Sequence, residues 1–453
     1  MMYDDLKDCT PKELAAIAKE YIQADEYDEA LDVLKHLLNE NMNDPEGIFL
    51  TGCLYVEVGN HGLAYTYLRR ASELMPERAE VWSALGTCAD LVNTEESIAA
   101  FEAALRINPR ATTPMVNLAG VEMYLGNFER AISLCAKAIL IDPDSIAAHD
   151  IRGLSFLALE NYERGWADHE LSLGAKFRKE IIFGNETRWN GLGDQRVIVY
   201  GEQGLGDEIM FASCLEDMMK YCEVIVECDP KLEGLFKRSF PEATVYGTRN
   251  LTASWPKYEE YDARCSIGSL PYYFRKYSNS FPGTPYLKAD PIRRKQWRTT
   301  LDDMGDKPKV GIAWRGGGKF TCRKDRAIPL EYFEPLFEVA DVINLEYEKA
   351  DTGDYPIHTF SHATLTSDYD DTAALVAELD YVVATTTTIN HLCGALGVPC
   401  HVLVEKHPNW RWIPDKMVWH DSIVIHRGDW KKIIQEIANA DIRGISQSVT
   451  GSA

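Results

Sequence analysis

A carboxylate stands where a nucleotide-type turn usually holds a phosphate. In "VIVYGEQGLGDEIMFAS", Val197 to Ser213, an apolar strand pattern enters a glycine-rich turn and then an apolar-periodic helix. That layout commonly aims backbone amides at a phosphate. Gly204 and Gly206 supply two glycines of a GxGxxG turn, but Ile209 replaces the third, and Asp207 lies at the helix start. A carboxylate there would repel a pyrophosphate by on the order of 4 kcal/mol at close range, so this turn is not expected to cradle one. The helix N-terminus favours the ionised form of Asp207. Read alone, Asp207 is an acidic N-cap that stabilises its helix by ~1 kcal/mol.

Three further stretches carry groups that could hold an anion or a ring. "WRGGGKFTCRKDRAIPL" joins a strand end and a glycine run to a cationic loop with Arg315, Lys319, Arg323, Lys324 and Arg326. Glycines permit close backbone approach and cations neutralise a diphosphate; the competing reading is a solvated basic loop. "ATTTTINHL" passes from strand end to helix start, with Asn390 and His391 in the first turn. Thr387 or Thr388 could cap it, and its free amides could bind an anion. Simple capping and a structural histidine are the alternatives. In "KHPNWRW", Trp410, Arg411 and Trp412 could stack on a base or sugar, or pack the loop onto its domain.

The elements that must position these groups read as two α/β units. "RVIVY", "EVIVEC" and "ATVYG" alternate with the helical patterns "DEIMFASCLEDMMKY" and "KLEGLFKRSF". A loop-rich stretch from Leu251 to Asp306 follows, and the alternation restarts at "KVGIAWRGGG". It continues through "DVINLEY", "DYVVATT", "PCHVLV" and "SIVIHR" and closes on "WKKIIQEIANA". Such alternation predicts parallel sheets with ligands at the carboxyl ends of the strands.

The first third repeats. Small residues recur at Ala18, Gly52, Gly86, Ala119 and Gly153, and again at Ala30, Ala64, Ser97, Ala131 and Gly165, at spacings of 33 or 34. Small side chains let paired helices approach closely, and larger ones (Leu31, Tyr67, Phe101, Leu134, Trp166) fill the gaps between units. "NPRATTP" and "DPDSIAA" read as inter-repeat turns with helix N-caps. The period resembles the tetratricopeptide repeat, about five units stacked as a solenoid.

Composition limits the rest. The chain has 453 residues, 45% hydrophobic and 26% charged, with a formal net charge of −23, which disfavours a nucleic-acid partner. No apolar run approaches the ~20 residues of a membrane helix. The N-terminus, "MMYDDLKDCTPKE", has neither a basic region nor an apolar core and is not read as a secretory signal. Eleven scattered cysteines without a CxxC pair point to a reducing, cytoplasmic compartment and no zinc site.

Together the motifs resemble tetratricopeptide-repeat proteins with a C-terminal GT-B glycosyltransferase domain, related to the bacterial heptosyltransferases and, more distantly, to protein O-GlcNAc transferases. The resemblance rests on "YERGW" before "RWNG", on "GEQGLGDEIMFA", "PYLKADP", "VGIAWRGG" with "RAIPL", "DDTAALVAELDYVV" with "HLCGALGVP", and "NWRW" with "GDW". It implies an α plus α/β architecture: helical repeats over 11–175, a first Rossmann-like domain over 190–290 on the acceptor side, and a second over 307–443 on the nucleotide-sugar side. It implies metal-independent, inverting sugar transfer from a nucleotide sugar to a hydroxyl of a protein or glycan, with no bound cofactor. The repeats would recruit the acceptor or a protein partner, or mediate self-association. Asp207 matches the family's proposed general base, on the loop with Gly204 and Gly206. The donor set would be Arg315, Lys324, Arg326, Glu346, Thr387, Thr388, Asn390, His391 and Trp410. One departure stands out: relatives carry an Asp-Thr pair where this chain has Thr386 and Thr387. The alternative function is a non-catalytic repeat scaffold with a degenerate transferase domain. A dinucleotide oxidoreductase is disfavoured by Ile209 and Asp207.

Overall fold

The computed structural model describes residues 6, 9–89, 93–175, 178–249, 251–252, 254–317 and 325–440. The chain forms two compact units, 1–155 and 156–453, and the boundary falls inside one helix, Ile146–Ala158.

The first unit is a run of helix pairs: Pro11–Gln23 with Tyr27–Glu40, Pro45–Glu57 with His61–Leu74, Ala79–Ala89 with Thr94–Ile107, and Thr112–Tyr124 with Phe128–Ile141. With Ile146–Ala158, their first helices begin 34, 34, 33 and 34 residues apart, the period of the sequence. The small residues do what the spacing requires. Ala18, Ala30, Ala64, Ser97, Ala119 and Ala131 are fully buried. A Cβ on Gly52 would sit 2.6 Å from Leu68 Cγ, and one on Gly86 would sit 2.7 Å from the Phe101 ring. Contacts that close exclude any larger side chain unless the facing Leu68 or Phe101 side chain shifts. Phe101 fills the space inside its own pair as well as reaching Leu118 and Val121 of the next. The turn "NPRATTP" lacks the expected side-chain cap. The residue in the cap position is Ala111, which has no acceptor to offer.

The second unit begins with the end of Ile146–Ala158 and the helix Tyr162–Leu171, then builds two parallel sheets. The strands are β1 (Thr187–Arg188), β2 (Arg196–Tyr200), β3 (Glu223–Glu227), β4 (Thr244–Tyr246), β5 (Ala263–Ser266), β6 (Lys309–Ala313), β7 (Asp341–Asn344), β8 (Ile357–His358), β9 (Tyr381–Thr385), β10 (Cys400–Leu403) and β11 (Ile423–His426). The first sheet runs β1-β5-β2-β3-β4 and the second β11-β10-β9-β6-β7-β8. The second therefore winds outward in both directions from β6, with its switch point between β6 and β9. The first switches between β2 and β5. Crevices at such points, beyond the strand carboxyl ends, are where this topology leaves room for a ligand. Continuous β-branched runs such as Val197 to Val199 and Val224 to Val226 are buried on both faces, as parallel strands require. The closing helix Trp430–Asn439 lays Ile434 and Ile437 onto Val310, Val342 and Val383 of the second sheet.

One strand contradicts the sequence expectation. β5 lies inside the stretch read as loop-rich. Its four residues, "ARCS", carry no apolar run, yet all are buried. Arg264 is tolerated there because its Nη2 donates to Glu180 at 2.7 Å and its Nη1 to the Glu186 carbonyl at 2.6 Å, which compensates the buried charge. The same stretch also holds the helix Pro291–Asp302, capped by Asp290.

Among the described residues, no helix is long and apolar enough to cross a membrane.

Candidate functional site

Loops from both sheets converge on one cavity of about 360 Å³. The turn after β2 contributes Gly204, Leu205, Gly206 and Asp207. The loops after β6, β7 and β9 contribute Gly317 and Arg326, Tyr347, and Thr386 to Thr388, with His391 just inside the following helix. The loop after β10 contributes Asn409, Arg411 and Trp412. Two glycines set how closely these loops meet. A Cβ on Gly206 would lie 3.3 Å from Thr388 Oγ1 and 3.4 Å from His391 Cδ2, and one on Gly316 would lie 2.5 Å from the Thr386 carbonyl oxygen.

Asp207 is not the N-cap that the sequence suggested: Gly204 holds that position, because the glycine turn runs into the helix at Leu205, and Asp207 is the third helical residue and a wall of the cavity. Its Oδ2 accepts the Gly204 N–H at 3.0 Å, closing the first turn of the helix Leu205–Ala212. Its Oδ1 lies 2.5 Å from Nη2 of Arg411. Arg411 in turn lies over the Trp410 ring, 5.2 Å from its centroid.

Trp410 does not line the cavity. It is buried, and its ring meets Trp166 at right angles with centroids 5.5 Å apart. Trp166 itself is 1% exposed, donates Nε1–H to the Arg275 carbonyl at 2.9 Å, and packs its edges against Phe211 and Trp419. The "NWRW" segment is thus anchored through its first tryptophan. Its second, Trp412, faces the cavity and His391 at 5.4 Å.

The expected cations divide. Arg326 lines the cavity, and its Nε donates to Glu405 Oε1 at 2.9 Å. The other Glu405 oxygen accepts from the Thr386 hydroxyl at 2.7 Å. Arg315 is turned to other work. Its backbone N–H and its Nε donate to the two oxygens of Glu346 at 2.8 and 2.9 Å, and its Nη2 reaches the carbonyls of Glu348 and Lys349. Glu346 also accepts from the Trp314 N–H, and burial pushes its carboxyl up against the opposing pull of Arg315. Glu346 and Arg315 brace the β6 and β7 ends from outside the cavity lining. Lys324, with Lys319 and Arg323, lies outside the described residues.

The helix Thr388–Leu396 starts at the cavity without a side-chain cap, although the Asn390 N–H already donates to the Thr387 carbonyl at 3.2 Å. Thr387 holds the cap position, and its side chain makes no bond to the helix amides. Asn390 is fully buried and ties this helix to β9 through the Thr385 carbonyl at 2.8 Å, so it positions rather than lines. His391 faces His420 ring to ring, Nδ1 to Nε2, at 3.3 Å. Burial first, then His420 and Arg411, hold its imidazole well below the ordinary histidine value, so it is neutral.

Sequence reasoning did not single out Glu405, Tyr347 or Asn409, and it left Arg411 with a general stacking role. Glu405 had a usable signal: a carboxylate two residues past a buried strand, at the carboxyl end of a parallel sheet. The pairing of Arg411 with Asp207 had none, because 204 positions separate the two.

A family model described as tetratricopeptide repeat matches residues 114–145. Protein FlbA of Caulobacter vibrioides is 27% identical over 441 residues, which span 88% of this chain and 73% of FlbA. The DnaJ homolog subfamily C member 7 homolog of Dictyostelium discoideum is 25% identical over 170 residues, 34% of this chain and 32% of that protein. Among solved structures, MamA protein is 21% identical with a TM-score of 0.33, covering 38% of this chain and 97% of its own. A thermophilic TPR protein of Thermus thermophilus is 17% identical with a TM-score of 0.32, covering 37% of this chain and 92% of its own. The chain is similar to each of these. It joins stacked tetratricopeptide-type helices to a Rossmann-like pair of parallel α/β sheets.

Proposed function

We propose that this chain is a GT-B glycosyltransferase that moves a sugar from a nucleotide-sugar donor to a hydroxyl acceptor, with inversion and without a metal. The observation that carries the reading is an arrangement across one cavity. Asp207 stands on the loop of the first sheet, facing Arg326 and the uncapped start of the helix Thr388–Leu396 on the second. The acceptor O–H gives its proton to Asp207 while its oxygen bonds to the anomeric carbon from the face opposite the leaving group. The bond from that carbon to the phosphate oxygen breaks, and the nucleoside diphosphate leaves with the electron pair. Arg326 and the helix amides stabilise the charge that develops on it. Neutral His391 and Trp412 shape the space between. The repeats recruit the acceptor or a protein partner, and the protein works in the cytoplasm.

A second reading, a scaffold that has lost transfer, draws on two observations. Thr386 stands where the resemblance implies an aspartate, and Asp207 already accepts from the Gly204 N–H on one oxygen and pairs with the Arg411 charge on the other. Thermal shift with UDP, GDP, ADP, CMP and their sugars separates the two. A retained donor site gains ~2.7 kcal/mol at ligand a hundredfold above its dissociation constant. No shift with any of them sinks the transferase and leaves the scaffold.

A further inference from the structure

We propose that Arg411 is a diphosphate ligand whose resting partner is the base itself, so that an arriving donor takes the guanidinium from Asp207 and frees that carboxylate for the acceptor. The inference rests on the glycosyltransferase reading and assigns it a residue and an order of events.

Among the described residues, two arginines line the cavity, and both are paired with a carboxylate, but the pairs differ. Glu405, the partner of Arg326, is 5% exposed, is held by Thr386 as well, and does not line the cavity. It supports Arg326 from behind and does not compete with a ligand. Asp207, the partner of Arg411, lies on the cavity wall beside it. Any anion seated between them meets the cation of that pair and repels the carboxylate.

Both members can survive the exchange in place. Arg411 is carried on the face of Trp410, which is fixed edge-on by Trp166. Its Nε and the facing Asp207 Oδ1 are both buried without a hydrogen-bond partner, so the pair is held by charge alone and each keeps hydrogen-bonding capacity for a ligand. Asp207 keeps its second attachment, the Gly204 N–H on Oδ2, when Arg411 turns away. The oxygen released is Oδ1, and with Oδ2 engaged by the cap it is the one an acceptor hydroxyl would need. Guanidinium favours phosphate oxygens in forked geometry, and a diphosphate offers more charge than one carboxylate. The donor therefore binds first, and before it arrives the base is occupied.

Calorimetry on the full chain tests this, with UDP, GDP, ADP, CMP and inorganic pyrophosphate as probes. Asp207→Asn keeps the cap, because the amide oxygen still accepts from Gly204, and removes the competing charge. For whichever probe binds wild type, D207N should bind about tenfold tighter and R411Q at least about tenfold weaker. In the R411Q background, D207N should change affinity little, since the guanidinium it would release is gone. An unchanged or weaker affinity in D207N overturns the exchange. So does an equal gain from D207N in the R411Q background, which would mark plain charge repulsion. Wild type that binds none of the probes overturns the transferase reading and the exchange together, whereas wild type that binds with D207N unaltered overturns the exchange alone.

Discussion

Thr386 donates its hydroxyl hydrogen to Glu405 at 2.7 Å, across the carboxyl ends of β9 and β10. The resemblance to GT-B transferases implies an aspartate at position 386, where this chain has threonine, yet a carboxylate stands beside that position, delivered from just past the neighbouring strand and shared with Arg326. Glu405→Gln should loosen Arg326 and weaken nucleoside diphosphate binding by about tenfold, the scale of one lost charge-assisted hydrogen bond. Calorimetry reads this directly, and unaltered affinity would remove Glu405 from the donor side.

Gly316 is held under the Thr386 carbonyl, where a Cβ would lie 2.5 Å from a backbone oxygen. Backbone cannot swing aside as a side-chain end can. Gly316→Ala should cost about 1–3 kcal/mol by overpacking and should impair nucleotide binding along with it. Denaturant melts paired with titrations would show both, and a variant of wild-type stability would mean that the β6 and β9 loops part easily.

Trp166 belongs by sequence to the repeat series but packs inside the second unit against Phe211, Trp410 and Trp419. Trp166→Ala should destabilise that unit by about 3–5 kcal/mol. It should also weaken nucleotide binding, because Trp410 loses the wall that fixes Arg411. Trp166→Phe, which keeps part of the ring packing and drops the bond to the Arg275 carbonyl, should cost less. Urea unfolding followed by fluorescence separates the two.

Acid should unfold the protein through its buried histidines. Burial holds His420 down at about 3 and His401 at about 4, and His169 and His391 are also well below the ordinary value. Between these values and ~6.5 the unfolded chain binds protons that the folded one refuses. The stability of the neutral forms is complete above that window and falls as pH drops through it. Melting temperature should therefore decline from pH 6.5 toward 4. A flat profile would mean that these rings accept protons in place.

Glu227 works in the opposite sense. Burial at the end of β3 raises its carboxyl to about 7. The folded chain then keeps a proton that the unfolded chain loses at its ordinary value of 4.5, so stability falls as pH rises through the window and the full penalty stands above it. Glu227→Gln should raise the melting temperature at pH 8 and leave it nearly unchanged at pH 5. Equal effects at both values would place the cost elsewhere.

The helical repeat was legible because its period is written into residues whose size alone matters. Gly52 and Gly86 sit directly against Leu68 and the Phe101 ring of the paired helix, and Ala119 is fully buried, so only small side chains fit. Most of the strands were legible for a similar reason, since runs such as "VIV" bury both faces in a parallel sheet. β5 was not, because "ARCS" depends on Glu180 and Glu186, contributed from another part of the chain, to make its arginine acceptable.

Within the candidate site, residue types announced a carboxylate at a glycine turn, cations after β6 and an open helix start after β9. All three come from local segments whose spacing alone places them at strand ends. Which cation faces the cavity is a different kind of fact. Arg315 is drawn off by Glu346, Arg326 is held in place by Glu405, and Arg411 reaches Asp207 from the loop after β10. The sequence by itself determined the repeats, the paired sheets and the chemistry available at their loops, because those follow from local periodicity and side-chain size. Only the tertiary structure decided which charges meet, because each partner is chosen by packing between segments far apart in the chain, and no local pattern encodes that choice.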